Sequence, residues 1–301
     1  MPRPKIALLP ERRRRRVVHG RSSDFNAVVA TWMEADIIEA TVANLFEQGC
    51  DRVFVIDNDS PDDTVERAVD AGAELWCSFA SPVYDEAMRL ALIRDLMERQ
   101  TSEARSDVWW LLVDADEFPR VANGDPIRAL VDQLDASVDL IGSRYLNHYP
   151  SATPANVVGQ SPLGYQPLAE LMAPTTFCAQ GHRKHQLIRL GPTRPRIVPG
   201  LGFHTVDSPK RPVIEASEEI LLHHFPFRNA DNTRARLARL YGLDGSTRRA
   251  VDDGFSTAHM RARLDTIDAV YAGRWSDVAT LGPNGPVTGV VLSHWTELVT
   301  S

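Results

Sequence analysis

Residues 109–118 read Trp-Trp-Leu-Leu-Val-Asp-Ala-Asp-Glu-Phe, an apolar run that ends in three carboxylates within four positions. A run of five apolar residues is typical of a strand buried on both faces of a parallel sheet. Ligands bind at the carboxyl ends of such strands in open α/β sheets. If the segment stays extended, Asp114 and Asp116 point to the same side and both can contact one ion. Because hard cations such as Mg²⁺ and Mn²⁺ prefer oxygen ligands, the segment predicts a divalent cation site.

The residues before this segment alternate between strand and helix patterns. Apolar runs predict three further strands, at 26–30, 53–56 and 74–77. Helical spacing predicts helices at 34–48 and 84–99, and another that starts after Ser60 with Pro61 at its first position. Strands that alternate with helices are joined by right-handed crossovers into a parallel sheet. The predicted fold class is therefore α/β, with a mostly parallel central sheet flanked by helices and a helical C-terminal segment.

Beyond Glu117 the pattern is less regular. Short strands are predicted at 138–141, 185–190, 197–198, 203–206 and 220–225. Helices are predicted to start at 125 and to span 230–241 and 257–271. Segment 145–181 is rich in Pro, Gly, Ser and Thr, and a loop this long is predicted to serve as a lid or binding segment.

The net charge of −7 conceals two regions of opposite sign. Residues 1–24 carry a net charge of +6, mainly from Arg12–Arg16, whereas the remaining chain carries −13. An acidic body argues against nucleic-acid binding as the main function, since phosphate recognition needs a basic face. Residues 1–24 are predicted to be a flexible basic arm. A solvated tail is the simpler interpretation of this arm, and a peripheral contact with an anionic membrane is the alternative.

Three widely spaced cysteines, Cys50, Cys77 and Cys178, do not form the pattern of a disulfide framework. The sequence shows no apolar segment of a secretory signal and no run of about 20 apolar residues for a membrane span. These features predict a cytoplasmic protein without a transmembrane segment.

A second polar cluster follows the predicted strand 53–56 and reads Asp-Asn-Asp-Ser-Pro over residues 57–61. A helix cap would use the serine and the proline but neither Asp57 nor Asn58. These two residues are predicted to lie at the same sheet edge as Asp114. An acceptor at this edge can bind a nucleobase N–H or a ribose hydroxyl.

Together, the two clusters show a family resemblance. The segment VVATWMEADIIEATVANLFEQGCDRVFVIDNDSPDDT, followed by WWLLVDADEF, resembles the GT-A glycosyltransferases, in particular the family 2-like group with a strand-end Asp-x-Asp-Glu-Phe motif. The resemblance is strongest over about residues 26–120. The later segments KHQLIRL, GFHTV and LLHHFPFR are similar to later blocks of that group.

The resemblance implies transfer of a sugar from a nucleoside diphosphate-sugar donor to an acceptor that it does not identify. A divalent cation, Mn²⁺ or Mg²⁺, would be the cofactor. Asp57 and Asn58 would contact the base or ribose of the donor. Asp114 and Asp116 would hold the metal and, through it, the diphosphate, and His224 would be a further metal or diphosphate ligand.

Other positions follow from the same resemblance. His223 is an alternative to His224, because strand alternation places only one of the pair inward. His204 and Lys184 resemble a block that contacts phosphate or lies on the acceptor side. The predicted donor-binding residues are Thr31, Glu34, Asp57, Asn58, Asp114 and Lys184; the predicted metal ligands are Asp114, Asp116 and His224; the predicted catalytic residues are Asp116, Glu117 and His204.

The leaving group determines what the site must supply. Cleavage at the anomeric carbon builds negative charge on the diphosphate, so the metal would act as a Lewis acid. An inverting enzyme would also need a base near the acceptor hydroxyl. Glu117, Glu170 and His204 are all candidates for this base. The sequence leaves the stereochemical outcome of the transfer open.

The resemblance also divides the chain. The arm at 1–24 would precede a catalytic domain at 25–228, made of a nucleotide-sugar half at about 25–120 and an acceptor half at about 121–228. A helical extension would occupy 229–301.

Two other functions fit the same residues. A sugar nucleotidyltransferase would also use strand-end carboxylates and a divalent ion, but would release pyrophosphate. A catalytically silent nucleotide-sugar-binding module would not need Asp114 and Asp116. A solvated loop would explain one acidic residue after strand 109–113 but not three. Glycine-rich phosphate loops and a G-x-S-x-G motif are absent from the sequence, which argues against P-loop kinases, NAD-dependent enzymes and serine hydrolases.

Overall fold

The computed structural model describes residues 23–81, 85–104, 106–150, 158–171, 183–209, 211–240, 266–282 and 285–299. Of the predicted basic arm, only Ser23 and Asp24 fall within these ranges, and Asp24 begins the first strand. The predicted roles of the arm therefore lie outside the described residues. Within the described ranges, the helices are too short or too polar to cross a membrane.

The first half of the chain folds into alternating strands and helices. Its strands are β1 (Asp24–Thr31), β2 (Arg52–Asp57), β3 (Glu74–Ser78) and β4 (Val108–Asp114). The helices between them are α1 (Ile38–Glu47), α2 (Thr64–Asp70) and α3 (Glu86–Glu103). The strands lie side by side in the order β3-β2-β1-β4, and all three pairings are parallel. This part of the sheet confirms the predicted α/β class.

Strand alternation places two apolar cores on opposite faces of this sheet. Val29 of β1 and Leu111 of β4 pack on the face that α1 covers. Their sequence neighbours Val28 and Leu112 pack on the opposite face with Leu96 of α3. Burial on both faces is the reason for the continuous apolar run in β4.

The second half adds antiparallel strands to the sheet. Its elements are β5 (Glu117–Arg120), α4 (Ile127–Gln133), β6 (Leu140–Tyr149), β7 (Leu168–Leu171), β8 (Arg183–Leu190), β9 (Val198–Pro199), β10 (Val206–Asp207) and β11 (Glu215–His224). β8 runs antiparallel to both β4 and β6. β11 runs parallel to β6 and antiparallel to β5. Because β5 follows β4 after one turn, β11 is brought beside the carboxylates of that turn.

The C-terminal segment contains helices, as predicted, together with strands that were not predicted. Its elements are α5 (Ala230–Leu240), α6 (Ile267–Tyr271), β12 (Ala279–Gly282), β13 (Gly285–Thr288), β14 (Ser293–His294) and α7 (Trp295–Val299). β14 pairs with β7, so the end of the chain returns to the main sheet. Of the predicted helix 257–271, residues 257–265 lie outside the described residues. The predicted domain boundaries stay predictions.

Three local predictions are wrong. The second helix begins at Thr64 and not after Ser60, because Ser60 donates its N–H and its hydroxyl to Asp57 instead of capping a helix. Part of the predicted loop 145–181 is sheet, since β6 continues to Tyr149 and β7 lies within the segment. The predicted strand 203–206 starts instead as a 3₁₀ turn, Leu201–Phe203, in which Phe203 has a φ of 61°.

Candidate active site

The strands β1, β2 and β4 end side by side at one edge of the sheet. Thr31 is paired in register with Asp57, and Ala30 with Asp114. The Thr31 hydroxyl donates to Asp57 Oδ1 over 2.9 Å, and Ser60 donates its N–H to Asp57 Oδ2 over 2.8 Å. Burial raises the pKa of Asp57 above its ordinary value against the lowering effect of these bonds. Asp57 therefore holds the turn after β2.

Asn58 extends this turn toward the segment before α3. Its side-chain carbonyl accepts from the Ser81 N–H over 3.3 Å, and the residue is 8% exposed. Asp59 has a φ of 51°, in the left-handed region that few residues other than glycine adopt. A contact of Asp57 or Asn58 with a nucleoside stays a prediction.

Asp114, the last residue of β4, lies between two cations. Its Oδ1 accepts from Arg89 Nη1 over 2.7 Å, and its Oδ2 accepts from Lys184 Nζ over 3.3 Å. Burial works to raise the pKa of Asp114, but the charges of Lys184 and Arg89 hold it below its ordinary value. With 34% of its side chain exposed, Asp114 is the most accessible carboxylate of the motif.

Glu117 lies underneath Asp114 and Lys184 and is completely buried. It accepts from the N–H of Asp114 over 2.9 Å and from Gln186 Nε2 over 2.7 Å, and it contacts Lys184 Nζ. Burial raises the pKa of Glu117 to about 7, although Lys184 acts in the opposite direction. Its contacts make Glu117 the support of the 114–117 turn and of the Lys184 ammonium group. A role as the base stays a prediction.

Asp116 faces a different set of basic side chains. Its Oδ2 lies 3.5 Å from His224 Nε2, 3.5 Å from Arg228 Nη1 and 3.7 Å from Arg236 Nη1. Burial would raise the pKa of Asp116, but these neighbours, His224 first, hold it well below its ordinary value. The premise of an extended 114–116 segment is wrong, because Ala115 and Asp116 form the turn between β4 and β5. Asp114 and Asp116 therefore contact separate groups of basic side chains.

Arg228 connects the C-terminal segment to the loop after β1. Its side chain is 4% exposed; it donates to Glu34 Oε2 over 2.5 Å, to Asp36 Oδ2 over 2.9 Å, and it lies beside Asp116. Arg236 of α5 contacts Glu34 from the other side. Burial raises the pKa of Glu34 to about 7 against the lowering effect of both arginines.

Several residues of the site were not singled out from sequence. They are Asp36, Arg89, Asn147, Gln186, Arg228 and Arg236. The position of Arg228 in LLHHFPFR, four residues after His224, was the available signal. The others carried none. Asp36 lies in the turn before α1, and the remaining four lie in helices or strands whose formation explains their local pattern.

The two adjacent histidines of β11 point in opposite directions. His224 faces Asp116, and its Nδ1 lies 2.9 Å from Asn147 Oδ1. His223 is fully buried on the other side, where its Nδ1 lies 2.8 Å from His148 Nε2. His224 is thus the histidine of this pair that reaches the strand-end carboxylates.

A 3₁₀ turn, Leu201–Phe203, covers the cations around Asp114. The Phe203 ring lies 4.8 Å from the Arg89 guanidinium and 5.9 Å from Lys184 Nζ. His204 follows this turn, with its Nδ1 3.0 Å from the Arg183 carbonyl oxygen. Burial and the charge of Lys184 lower the pKa of His204 to about 4, so its imidazole is neutral at pH 7. The predicted catalytic role of His204 stays a prediction.

The side-chain atoms around Asp116 fit a divalent cation. Asp116 Oδ2 and His224 Nε2, 3.5 Å apart, are an oxygen and a nitrogen ligand on the same side of the site. Among the described residues, no three His, Cys, Asp or Glu side chains are grouped as a complete metal site. The Asp116 carboxylate by itself matches Mg²⁺, which commonly binds one or two carboxylates together with water and substrate phosphates.

No protein-family model and no curated protein match the chain. Solved structures match part of its fold. Glucosyl-3-phosphoglycerate synthase from Mycobacterium tuberculosis, in complex with Mn²⁺, uridine-diphosphate and phosphoglyceric acid, is 20% identical with a TM-score of 0.28, covering 42% of this chain and 44% of that chain. Mannosyl-3-phosphoglycerate synthase from Rubrobacter xylanophilus is 23% identical with a TM-score of 0.29, covering 41% and 40%. The match spans less than half of either protein and carries no conclusion about activity.

Proposed function

We propose that this chain is a metal-dependent glycosyltransferase of the GT-A type, which moves a sugar from a nucleoside diphosphate-sugar donor to an acceptor. The observation that supports this proposal best is the alternation of charges at one sheet edge. Asp114 lies between Arg89 and Lys184, and Asp116 lies among His224, Arg228 and Arg236. Carboxylates can hold a metal ion there, and the basic groups can bind a diphosphate.

Electrostatics explains why both kinds of group are needed. A buried charge is costly unless it is paired, so each carboxylate neutralises a cation while no substrate is bound. A donor diphosphate would pair with Arg89 and Lys184, and Asp114 would then be available to a metal ion held by Asp116 and His224. When bound, the metal would supply Lewis-acid stabilisation of the departing diphosphate.

The remaining residues would position the donor. Lys184 contacts the buried Glu117, which would hold its ammonium group where negative charge develops on the leaving diphosphate. The turn after β2, held by Asp57, would contact the nucleoside through Asn58. Glu34 would contact the donor from the loop after β1, where Arg228 pairs with its carboxylate.

Donor hydrolysis tests the proposal. We expect slow release of a nucleoside diphosphate from at least one nucleotide-sugar in the presence of Mn²⁺, and loss of this activity on adding a chelator. A saturating donor at about 100 times its dissociation constant should stabilise the fold by about 2.7 kcal/mol. No turnover and no thermal shift with any nucleotide-sugar, with or without Mn²⁺, would contradict the proposal.

The same assay separates the other functions. Pyrophosphate release from a nucleoside triphosphate and a sugar phosphate would identify a nucleotidyltransferase. Donor binding without turnover, unchanged in Asp114→Asn and Asp116→Asn, would identify a binding module. For a glycosyltransferase we expect both variants to lose turnover, and Asp116→Asn to lose Mn²⁺ affinity as well.

A further inference from the structure

Three polar side chains lie in one row across three adjacent strands. His224 of β11 is in register with Asn147 of β6, and Asn147 is in register with Glu170 of β7. The His224 Nδ1 lies 2.9 Å from Asn147 Oδ1, and Asn147 Nδ2 donates to Glu170 Oε1 over 3.2 Å. Asn147 is fully buried. The row ends at Asp116, 3.5 Å from the other ring nitrogen of His224.

The chemistry of these groups determines which atom carries each proton. A carboxylate can only accept hydrogen bonds, so the side of Asn147 that faces Glu170 must be its NH₂ group. The amide oxygen of Asn147 then faces His224 and can only accept. His224 Nδ1 must therefore carry a proton, and in the neutral imidazole Nε2 has a lone pair.

A second residue of β6 holds Glu170 in place. Tyr149 lies two positions after Asn147 and on the same face of the strand. Its hydroxyl donates to Glu170 Oε1 over 2.5 Å and accepts from Asn147 Nδ2 over 3.1 Å. The oxygen of Glu170 that sets the orientation of Asn147 is thus itself held by a hydrogen bond.

We propose that Glu170 and Asn147 are positioning residues that fix His224 in its Nδ1–H tautomer and so present Nε2 to a cation beside Asp116. This gives Glu170 a role other than that of a base. Partners of this kind orient metal-binding histidines, and their loss commonly lowers metal affinity 10- to 100-fold. The cation in this statement rests on the proposed function, whereas the tautomer does not.

The first measurement is made without metal. Long-range ¹H–¹⁵N correlation spectra of protein labelled with ¹⁵N-histidine, recorded at pH 8, report which nitrogen of His224 is protonated. The signal is assigned with His224→Gln. We expect a proton on Nδ1 in the wild type. In Glu170→Gln, where Asn147 can turn over because the glutamine can donate as well as accept, we expect part of the Nε2–H tautomer to appear.

The second measurement is Mn²⁺ affinity, determined from the electron paramagnetic resonance signal of the free ion. We expect affinity to fall by about 10-fold or more in Glu170→Gln and in Asn147→Leu. The double variant Asn147→Asp/Glu170→Gln should recover most of it, because the introduced carboxylate can only accept and the glutamine can donate to it. The control is Glu219→Gln, in the middle of β11 beside Arg144 and Arg183, which should leave affinity unchanged.

The outcomes separate this proposal from the proposed function. An Nε2–H tautomer in the wild type would overturn the positioning role, and so would an unchanged tautomer and Mn²⁺ affinity in Glu170→Gln. Asn147→Leu replaces a buried amide. If this variant does not fold, the single Glu170 variant and the double variant test the positioning role. Absence of Mn²⁺ binding in the wild type, together with the expected tautomer change, would contradict the proposed function and support the role of Glu170 and Asn147 in fixing the tautomer.

Discussion

Lys184 Nζ contacts Glu117 on its buried side and lies 3.3 Å from Asp114 Oδ2 on its exposed side. One ammonium group thus joins the carboxylate under the turn to the carboxylate that faces the site. Burial works to lower the pKa of Lys184, but the two acids raise it above its ordinary value. Lys184 is therefore charged at neutral pH.

Replacement of Lys184 by methionine should destabilise the protein. Removing one partner of a buried ion pair leaves the other charge unpaired, at a cost of about 3–5 kcal/mol. Urea unfolding at pH 8 measures this loss. The double variant Lys184→Met/Glu117→Gln, in which no charge is left in the buried position, should recover part of the stability. Equal stability of the wild type and Lys184→Met would show that the pair contributes nothing.

The stability of the protein should depend on the pH in a way set by Glu34 and Glu117. Burial raises the pKa of each to about 7 in the folded protein, so between about pH 4.5 and 7 the folded state binds more protons than the unfolded state. Their contribution to the free energy of unfolding is therefore present at low pH and lost as the pH rises through this window. The slope is at most about 1.4 kcal/mol per pH unit for each group.

Urea unfolding across this pH window checks the expected slope. Glu34→Gln should reduce it, while the exposed Glu66→Gln on α2 should not. A slope that is the same in Glu34→Gln and in the wild type would contradict the assignment.

Arg228→Met should weaken the attachment of the C-terminal segment. The substitution leaves Glu34 and Asp36 without the guanidinium that pairs with both, and about 3–5 kcal/mol of stability should be lost. Arg234→Met on α5 is the matched control. Its ion pair with Asp268 is solvent-exposed, so its removal should cost no more than about 1 kcal/mol.

Chemical denaturation of the Arg228 and Arg234 variants measures these costs, and amide exchange over 230–239 reports local opening. Similar losses of stability in the two variants would show that burial of Arg228 does not determine how much its ion pairs stabilise the protein.

Thr31→Val tests the link between β1 and β2 at the donor side. The substitution removes the hydrogen bond to the buried Asp57 carboxylate, at a cost of about 1–3 kcal/mol. Because the turn at 57–60 is predicted to contact the nucleoside, the KM for the donor should rise more than kcat falls.

Thr101→Val is the matched control for Thr31→Val. It removes the acceptor of the 2.9 Å hydrogen bond from the Trp110 indole, which lies before the strand end, and should leave the KM unchanged. Steady-state kinetics with varied donor concentration measures the KM of both variants. An unchanged KM in Thr31→Val would argue against a nucleoside site at this turn.

The first half of the fold was predictable from sequence because its signals are local. In β1, β2 and β4, apolar runs marked the strands to within one or two residues, since strands buried on both faces are mostly apolar. The cap at Ser60 was mispredicted because a serine after a strand can bond a nearby carboxylate as readily as a helix N-terminus, and here Asp57 was available.

The order of apolar and acidic residues in 109–118 by itself determined that a buried strand ends in carboxylates at one edge of a sheet. Only the tertiary structure decided what each carboxylate contacts. Asp114 meets Arg89 from α3, and Asp116 meets Arg228, 112 positions away along the chain. A local pattern can place a charge at a strand end, because backbone hydrogen bonding and apolar burial determine the strand. Its pKa and its partners depend on burial and on Coulomb interactions with residues distant in sequence, which exist only once the sheet and the C-terminal segment have come together.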